Sequence, residues 1–474
     1  MRLTLVHPTI GRRAGDRSYI RGWQMEPLSP ALLAGMTPDS WDVKFYDDRM
    51  EEIPYDEETD LVAISVETYT AKRAYQIASE YRKRGVPVVM GGFHATLVPE
   101  EVTEYAESMV IGESEGVWQR LLADFETGNM QRVYKQSKRP SLQGTFPKRS
   151  IFEGKRYLPL GLIEAGRGCH LKCDFCVIQV YFDSTQSRRP IDDILEEIRR
   201  IDKPLIFFVD DNITSNMEQA KEFYRALKPL NIKWVSQASI NAAHDEEFLQ
   251  IIKESGCQGV LIGFESLNET TLRKMKKGFN VSHGGYEKAL ENLRKYGIRL
   301  YTTFIFGYDE DTLETFETTL EFAKKHRFYM VAFNHLTPFP GTPLYDRLEK
   351  DGRLMFEKWW LDDNYNYGMV PFYPKQLTPE QVRNGCLEAR RKFYTWSSIF
   401  RRSLDFKVNS SSLKMFGGYW FINYILRREV SERKGYPLGD EGYVGELIKA
   451  SHTQAFDPTP MNDNLLMPIM PERV

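Results

Sequence analysis

The stretch Glu164-Ala-Gly-Arg-Gly-Cys169-His-Leu-Lys-Cys173-Asp-Phe-Cys176 holds three of the five cysteines of this 474-residue chain within eight positions. It overlaps the end of the apolar run Leu160–Ala165, which we predict to be a strand, so the thiols lie on a loop at the carboxyl end of that strand. Thiolates are the protein ligands that iron–sulfur clusters prefer, and short spacings let one loop bind several irons. We therefore expect these cysteines to bind a four-iron cluster and to leave one iron without a protein ligand.

A zinc site is the alternative interpretation of the same cysteines. Zinc prefers four ligands, and His170 is the nearest candidate for the fourth. It adjoins Cys169 directly, however, and is poorly placed to close one tetrahedron. Cys257 and Cys386 are distant and isolated, so we interpret them as small buried apolar residues.

The spacing C-x3-C-x2-C, with the aromatic Phe175 just before the third cysteine, resembles the signature of the radical S-adenosylmethionine (radical SAM) superfamily. The resemblance implies a [4Fe-4S] cluster whose open iron chelates the amino and carboxylate groups of SAM. One electron from the cluster then cleaves a C–S bond and yields a 5′-deoxyadenosyl radical, while the protein orients the cofactors and excludes water. Arg167 and Lys172 are expected to offset part of the cluster's negative charge and to lower the thiol pKa values.

Residues 157–344 alternate predicted strands with helices, which favours a radical SAM partial (β/α)6 TIM barrel. The strands are predicted at Leu160–Ala165, Leu205–Val209, Lys233–Gln237, Gly259–Phe264, Arg299–Phe306 and Met330–Leu336. In barrel enzymes the carboxyl ends of the strands carry the chemistry. By resemblance to the family, the SAM-binding positions are Phe175, Asp210, Asp211, Ser239, Asn241 and Glu265. Glu265 is the carboxylate expected to hold the methionine ammonium group. Taken singly, a polar residue at a strand end is also explained as a turn or a helix cap.

Residues 1–145 form another strand–helix alternation, which predicts an α/β domain with a parallel sheet covered on both faces. Its strands are predicted at Arg2–His7, Trp41–Tyr46, Asp60–Val66, Val86–Met90 and Ser108–Ile111, with a helix over Thr70–Arg84. Ligands of such sheets bind outside the carboxyl ends of the strands. The region resembles the Rossmann-like cobalamin (B12)-binding domains that precede radical SAM barrels in the branch typified by anaerobic magnesium-protoporphyrin cyclase. By that resemblance, the cobalamin-binding positions are Ser65, Glu67, Thr68, Gly91, Gly92, Gly112 and Glu113.

One part of the fuller corrinoid pattern is missing after the second strand. That pattern is Asp-x-His-x-x-Gly, whose histidine binds cobalt from below, whereas this chain reads Asp47-Asp48-Arg49-Met50-Glu51-Glu52. His94 follows a different strand. If cobalamin binds, we expect its lower face to lack a histidine ligand; the alternative is a domain that kept the fold and lost the cofactor. A nucleotide-binding fold fits less well, because no G-x-G-x-x-G follows the first strand.

The remaining regions are a linker over residues 146–156 and a mainly helical C-terminal region over residues 345–474. Aromatic residues of the latter either pack in a core or wall a site for a large apolar ligand. They are Trp359, Trp360, Tyr365, Tyr367, Phe372, Tyr373, Tyr419, Trp420 and Phe421. We interpret the segment Phe416–Leu426, which basic residues flank, as a helix packed on its own domain. Contact with a hydrophobic substrate or a membrane surface is the alternative.

Composition and charge exclude several classes of protein. The 63 basic and 66 acidic residues nearly cancel, which argues against a basic face that binds nucleic acid. Apolar residues make up 42% of the chain, which excludes global disorder. The longest apolar runs fall far short of the ~20 residues that span a bilayer, and the first residues do not form a signal peptide. An odd, sparse set of five cysteines favours a reducing, cytoplasmic compartment.

Three functions are compatible with these features. The leading hypothesis is cobalamin-dependent methylation: the deoxyadenosyl radical abstracts a hydrogen from an unactivated carbon, and methylcobalamin, recharged by a second SAM, donates the methyl group. The second is radical cyclisation, rearrangement or oxidation, with the cobalamin-type domain kept as a scaffold. The third is a non-catalytic sensor that binds a cluster or a corrinoid. A methylthiotransferase is disfavoured because the chain has no second cysteine triplet.

The expected partners are a small-molecule or lipid substrate and an electron donor such as flavodoxin or ferredoxin, with no nucleic acid. A peripheral membrane contact through the C-terminal region is the one membrane association that the sequence leaves open. Lipid, tetrapyrrole and peptide substrates all agree with the sequence, and the oligomeric state is not encoded in any pattern that we recognise.

Overall fold

Two parallel sheets of six strands organise the chain, and the computed structural model describes residues 1–16, 24–430, 435–452 and 455–461. The elements of the N-terminal part are β1 (Arg2–His7), β2 (Gly11–Arg12), α1 (Leu28–Met36), β3 (Asp42–Asp47), β4 (Leu61–Ser65), α2 (Ala71–Arg82), β5 (Val88–Gly91), α3 (Phe93–Leu97), α4 (Pro99–Val102), β6 (Ser108–Ile111), α5 (Val117–Glu126) and β7 (Val133–Lys135). The first sheet has the order β3-β1-β4-β5-β6-β7, and each neighbouring pair is parallel.

The first sheet is buried on both faces, as its apolar strands require. Its two sides belong to two separate clusters of buried apolar residues, one containing Val62 and Ile64 and the other Leu61 and Ala63. After β1 the chain forms β3 on one side and then crosses to form β4 on the other. This reversal opens a crevice at the carboxyl ends of β1 and β4, which is where open parallel sheets bind ligands.

The second sheet is an open barrel wall with strands in sequence order. The elements of this part are β8 (Gly161–Ile163), β9 (Gly166–Gly168), α6 (Val177–Tyr181), β10 (Gln186–Arg188), α7 (Ile191–Arg200), β11 (Ile206–Phe208), α8 (Met217–Leu227), β12 (Trp234–Ala238), α9 (Glu246–Glu254), β13 (Cys257–Glu265), α10 (Glu269–Lys274), α11 (Gly285–Tyr296), β14 (Arg299–Phe306), α12 (Leu313–Lys325) and β15 (Met330–His335). The parallel order is β15-β14-β13-β12-β11-β8. The predicted α/β class and partial (β/α)6 barrel are confirmed.

Several short strands were not predicted. The edge strand β7 has only three residues, which are too few to show a period. The ribbon of β9 and β10 carries glycines and charged residues rather than β-branched ones, so no strand propensity marks it. The predicted main strands are all present, with boundaries that shift by up to two residues.

The C-terminal part contains α13 (Pro343–Lys350), α14 (Pro379–Phe393), α15 (Trp396–Ser403), α16 (Leu413–Glu429) and β16 (Gly439–Asp440). Most of its aromatic residues do not wall a ligand site, because they lie in the protein core. Trp359, Trp360 and Tyr365 are buried against the first sheet, and Phe372 is buried against the barrel. β16 pairs with β2 in a separate two-stranded sheet, and the Asp440 N–H donates to Oε1 of Gln76 in α2 at 2.7 Å, so the C-terminal part also contacts the N-terminal part.

The expectation that Phe416–Leu426 packs on its own domain is wrong for most of that segment. Within α16 the buried residues are Tyr419 and Asn423 only, while Phe416, Phe421 and Tyr424 are exposed. In the part of the chain that the structure describes, no helix has the length and apolar character needed to cross a membrane.

Candidate cofactor site

The cysteine loop, residues 169–176, lies on an excursion of the chain that a two-stranded ribbon closes. β9 and β10 pair antiparallel, and the loop and α6 lie between them. Two glycines make this pairing possible. A Cβ atom at Gly166 would lie 2.6 Å from the carbonyl oxygen of Ser187, and one at Gly168 would lie 2.1 Å from that of Thr185. The glycines before the first cysteine therefore allow close backbone contact at the base of the loop.

Polar side chains that follow β11 hold the start of the cysteine loop. Asp211 accepts a hydrogen bond from the backbone N–H of Gly168 at 2.7 Å. Asn212 donates from Nδ2 to Sγ of Cys169 at 3.3 Å. These two residues thus fix the first thiol from a neighbouring strand end.

Asp210 holds the backbone just before the cysteine loop. Its carboxylate accepts a hydrogen bond from the N–H of Ala165 at 3.1 Å. Burial raises the pKa of Asp210 to about 7, although this hydrogen bond and nearby Arg188 act against the rise. In this structure the carboxylates of Asp210 and Asp211 contact the protein backbone.

Asp174 fixes the other half of the cysteine loop, which sequence analysis did not foresee. Its carboxylate accepts a hydrogen bond from the hydroxyl of Tyr308 at 2.7 Å and another from Arg347 at 3.2 Å. Its N–H donates to the carbonyl oxygen of Met275 at 3.2 Å. The loop is therefore held by segments after β14, β15 and α10 as well as after β11.

Arg167 and Lys172, the basic residues near the cysteines in sequence, do not lower the pKa values of Cys173 and Cys176. Burial raises the pKa of Cys173 to about 12, with nearby Lys277 acting against the rise. Burial likewise raises the pKa of Cys176 to about 11. The expectation that Arg167 and Lys172 lower these pKa values is therefore wrong. Metal binding displaces the thiol protons in such a site.

Arg167 is engaged elsewhere. It forms ion pairs with Glu164 at 2.6 Å, with Glu115 at 2.7 Å and with Glu113 at 3.4 Å. Since three carboxylates surround one guanidinium, its charge is already balanced. Lys277, which is distant in sequence, is the base beside Cys173 instead.

Glu265 lies at a distortion of β13 beside the thiols. Its φ of +66° is rare for a residue with a side chain, and the register with β14 shifts between Gly263 and Glu265. Its carboxylate pairs with Lys277 at 2.8 Å and accepts from the Thr303 hydroxyl at 3.2 Å. A Cβ atom at Gly263 would lie 2.0 Å from Oε1 of Glu265, so glycine is needed there for this carboxylate position.

The donor set fits a four-iron cluster. The charges of Cys169 and Cys176 both raise the pKa of Cys173, so the three thiols lie near one another. Across the described ranges no three His, Cys, Asp or Glu side chains are spaced for a single metal ion. His170 Nδ1 lies 3.3 Å from the carbonyl oxygen of Ser184 instead. A cluster takes each thiolate on a different iron, so its ligands stand further apart than those of zinc.

The remaining predicted SAM positions lie along the same strand ends. Phe175 is partly buried against the barrel core. The Ser239 N–H donates to the hydroxyl of Thr214 at 3.0 Å, directly after β12. Asn241 is exposed two residues further on. The structure thus places Ser239 beside the segment that follows β11 and leaves Asn241 at the surface.

The predicted cobalamin positions all follow strands of the first sheet. Ser65 and Gly91 end β4 and β5, and Gly112 follows β6. Thr68 is buried, whereas Glu67 is solvent-accessible. Partial enclosure by neighbouring groups raises the pKa of Glu67, and nearby Arg49 acts against the rise.

Two glycines shape this edge in different ways. Gly92 has φ +100°, and a Cβ atom there would lie 2.9 Å from the carbonyl oxygen of Val66, so the two strand ends contact each other. Gly112 has φ +81°, and nothing lies within 4 Å of the position of its missing Cβ. Open space above a backbone glycine is what a flat macrocycle or its nucleotide tail needs, so this edge fits cobalamin.

The side chains after β3 are engaged within the domain. Asp47 pairs with Arg49 at 2.7 Å, and Asp48 pairs with Arg73 at 2.9 Å. His94 is buried and lies 3.1 Å from Glu101. Asp47 and Asp48 are therefore paired with arginines, and His94 is paired with Glu101.

The helix α6, which follows the cysteine loop, contacts the cobalamin edge, by which we mean the strand ends of the first sheet that carry the predicted cobalamin positions. Tyr181 of α6 donates from its hydroxyl to the carbonyl oxygen of Gly112 at 2.7 Å, and its ring lies 4.6 Å from that of Phe93. Glu113 pairs with Arg139 at 2.7 Å in addition to Arg167. The carboxyl ends of the two sheets therefore face one another, and Tyr181, which no sequence motif marked, lies between them.

Comparison with known proteins agrees with this arrangement. The B12 binding domain model matches residues 21–122, and the Radical SAM superfamily model matches residues 163–323. The chain is 33% identical to the bacteriochlorophyllide d C-12(1)-methyltransferase of Chlorobaculum tepidum, over 85% of this chain and 88% of the relative. It is 25% identical to the anaerobic magnesium-protoporphyrin IX monomethyl ester cyclase of Cereibacter sphaeroides, over 97% of this chain and 80% of the relative.

A solved structure shares the fold. The cobalamin-dependent S-adenosylmethionine radical enzyme OxsB with aqua-cobalamin bound matches with a TM-score of 0.63 at 15% identity, over 91% of this chain and 72% of that chain. The family matches confirm that the cofactors are a [4Fe-4S] cluster, SAM and cobalamin, and that the protein is an enzyme. The chain belongs to the cobalamin-binding branch of the radical SAM superfamily.

Proposed function

We propose that this enzyme transfers a methyl group to an unactivated carbon of a tetrapyrrole. The observation that carries the proposal is the contact of Tyr181, in the helix that follows the cysteine loop, with Gly112 at the cobalamin edge. When bound, the cluster with SAM supplies a hydrogen-abstracting radical, and cobalamin supplies the methyl group. A single substrate carbon has to meet both cofactors, and two facing strand edges provide that proximity.

The proposed cluster ligands are Cys169, Cys173 and Cys176. Their support is the proximity of the three thiols and the hydrogen bonds that hold the loop at both ends. We propose that Asp210 and Asp211 act on SAM through the loop that they position. Phe175, Ser239 and Asn241 remain proposed SAM contacts on the evidence of the family resemblance.

Glu265 is the proposed partner of the methionine ammonium group. It lies beside the thiols, and Lys277 already occupies one of its oxygen atoms. We propose that Lys277 leaves Glu265 able to bind one more cation and offsets the negative charge of the cluster. Buried charges need such compensation from nearby groups.

The proposed cobalamin contacts are Ser65, Glu67, Thr68, Gly91, Gly92, Gly112 and Glu113. The open space at Gly112 and the accessible carboxyl group of Glu67 support the assignment for those two. The ion pair of Glu113 with Arg139 favours a positioning role for its side chain.

The tetrapyrrole substrate is inferred from the relatives. The methyltransferase at 33% identity is named for bacteriochlorophyllide, and the cyclase at 25% identity is named for magnesium-protoporphyrin. Methylation is favoured over cyclisation because the methyltransferase is the more similar of the two. Radical cyclisation, rearrangement or oxidation is the second candidate function, and the cyclase is the observation that favours it.

We further propose the division into a cobalamin unit over residues 1–145, a linker over 146–156, a radical SAM unit over 157–344 and a C-terminal region over 345–474. The two six-stranded sheets support the first and third units. An external one-electron donor of flavodoxin or ferredoxin type is proposed as partner, because one cysteine triplet binds one cluster and leaves no second cluster to deliver electrons.

Replacing any one proposed cluster ligand should abolish the cluster. Cys169→Ala, Cys173→Ala and Cys176→Ala proteins, reconstituted anaerobically with iron and sulfide, should show no cluster absorbance and form no 5′-deoxyadenosine from SAM. Cys257→Ala is the matched control and should keep both, since Cys257 lies in β13 and packs against the barrel core. Loss of the cluster in the control would contradict the ligand assignment.

A Glu265→Gln substitution should weaken SAM binding while the cluster stays intact. Loss of one charged hydrogen bond to an ammonium group costs about 2 kcal/mol, so affinity should fall on the order of tenfold or more. Equilibrium dialysis of SAM against the reconstituted protein measures this. Glu269→Gln, an exposed carboxylate on α10, should leave affinity unchanged. If both variants bound SAM with equal affinity, Glu265 would not be a SAM contact.

A Lys277→Met substitution should lower the reduction potential of the cluster. Removing a buried positive charge makes an added electron less favourable. A redox titration followed by electron paramagnetic resonance measures the shift, with Lys274→Met, an exposed lysine, as control. Lys277→Arg should restore most of the potential. An unchanged potential in Lys277→Met would show that Lys277 has only a structural role.

A Gly112→Leu substitution should block cobalamin and spare the cluster. The new side chain would enter the open space at the cobalamin edge. The matched control is Gly128→Leu, which causes similar backbone strain, because Gly128 also has a positive φ and nothing within 4 Å of its Cβ position. Cobalt and iron counts after loading with hydroxocobalamin measure the result. If the Gly112→Leu protein retained cobalt, cobalamin would bind at a different position.

The reaction itself is tested with bacteriochlorophyllide and protoporphyrin-type substrates under anaerobic conditions. The enzyme loaded with cobalamin, SAM and a reductant should yield a product heavier by one methylene unit, together with 5′-deoxyadenosine. Cys169→Ala is the inactive control. Formation of 5′-deoxyadenosine with a cyclised or oxidised product, and without methylation, would replace the proposal by the second candidate function.

A further inference from the structure

Exposed apolar side chains are concentrated on one helical hairpin. Twelve large apolar side chains are exposed in the described part of the chain, and eight of them lie between residues 396 and 424. These eight are Trp396, Phe400, Leu404, Phe406, Leu413, Phe416, Phe421 and Tyr424. We call them the apolar hairpin face. A contiguous set of this kind marks an interaction surface, whereas single exposed apolar residues are ordinary.

Both helices of the hairpin keep large apolar side chains on their outer side although their inner side is already packed. α15 buries Ser398, Ile399 and Arg402 and exposes Trp396 and Phe400. α16 buries Asn423 with Tyr419, while Leu413 is 91% exposed and Phe421 is 67% exposed. A helix that packs only on its own domain in water presents mainly polar side chains outward. The outward face is therefore adapted to a partner that is itself apolar.

The hairpin is firmly attached, so its exposed face does not result from loose packing. Arg402 donates to the carbonyl oxygen of Phe328 at 3.0 Å and to the side-chain oxygen of Asn423 at 3.1 Å. Asn409 donates to the carbonyl oxygen of Arg327 at 2.9 Å. Asp405 forms a salt bridge with Arg294.

This attachment places the hairpin away from the cofactors. Residues 327–329 directly precede β15, at its amino end, whereas the cysteine loop contacts the segment that follows β15: the Leu344 N–H donates to the carbonyl oxygen of Asp174 at 3.0 Å. The apolar hairpin face therefore lies at the end of the barrel opposite to the candidate cofactor site.

Positive charge surrounds the apolar hairpin face. Arg401, Lys407, Lys414 and Arg428 are exposed and Arg427 is partly exposed. From residue 396 to residue 429 the acidic residues are Asp405, which is buried in its ion pair, and Glu429. The guanidinium groups of Arg427 and Arg428 lie over Trp396 and Tyr424, at 5.0 Å and 5.8 Å from the ring centres.

We propose that the apolar hairpin face docks onto the surface of a membrane that contains anionic lipids. Aromatic side chains with an adjoining cation suit the boundary between acyl chains and headgroups, and the surrounding lysines and arginines match anionic headgroups. The helices lie in the interface rather than across the bilayer, in agreement with the absence of a membrane-crossing helix from the described residues. The proposal stands independently of the proposed methylation.

A second copy of the chain is a less suitable partner. A symmetric dimer would place the same surface against itself, and the exposed bases around the apolar residues would then face one another without acidic partners. A membrane presents an apolar interior and negative headgroups together, which complements both features of the surface.

Sedimentation with lipid vesicles tests the proposal on the full-length, cofactor-loaded protein. Binding to vesicles of equal parts phosphatidylcholine and phosphatidylglycerol should exceed binding to phosphatidylcholine alone. The variant Phe416→Ser/Phe421→Ser/Tyr424→Ser should lose binding. The matched control Leu313→Ser/Tyr373→Ser/Val444→Ser, which replaces exposed apolar residues outside the hairpin, should keep it.

Charge and depth are tested separately. Lys407→Glu/Lys414→Glu should weaken binding to the anionic vesicles by about tenfold or more, and Lys138→Glu/Lys253→Glu should not. Brominated lipid should quench tryptophan fluorescence, and Trp396→Phe should reduce that quenching. These measurements also decide the question if the triple serine variant does not fold.

Three results would overturn the proposal. If the serine variant and its control bound vesicles equally well, the hairpin would not be the membrane-binding surface. A dimer in solution that the serine variant abolishes, without vesicle binding, would assign the face to a second copy. If vesicle binding required residues 462–474 and not the hairpin, membrane binding would belong to that segment.

Discussion

Hydrogen bonds from the segment after β11 to the cysteine loop are the constraint on which the rest of the site depends. A loop with C-x3-C-x2-C spacing has no ladder of its own, so neighbouring groups decide where its thiols point. Asp211 binds the N–H of Gly168, and Asn212 binds the thiol of Cys169. Carboxylate acceptors give strong hydrogen bonds in such positions. These residues belong to the metal site although they do not bind metal, because the groups behind a ligand fix its orientation.

Charge is distributed unevenly around that loop. On the side of the cobalamin edge, Arg167 is surrounded by three carboxylates, so this side carries no surplus positive charge. On the barrel side, Lys277 lies beside both Cys173 and Glu265. A cluster with three thiolate ligands adds negative charge to a buried volume, which is costly without a nearby cation. The distorted backbone at Glu265 persists because this ion pair and the glycine at position 263 accommodate it.

The sequence predicted the fold and the cysteine set, because strand periodicity and ligand spacing are local signals. It did not predict Lys277 or Tyr181, because each acts across the fold on residues far away in sequence. It assigned the wrong base, Arg167, because adjacency to Cys169 in sequence does not reveal the carboxylates contributed by the first domain. It also misjudged α16, because the apolar composition of Phe416–Leu426 does not say which face is outward. Contacts between elements are the information that a single sequence lacks.

Residues that follow β15 connect the barrel with the first sheet. Trp360 lies in the core of the first sheet and donates to Glu101 at 3.0 Å, although it follows the barrel in sequence. Tyr69, beside the cobalamin edge, lies 3.3 Å from the hydroxyl of Thr337, which follows β15. The chain thus returns from the barrel to the first sheet and ties the two strand edges together. A misplacement of about 1 Å can cost on the order of 100-fold in rate, so contacts that hold the two strand edges together bear directly on the proposed reaction.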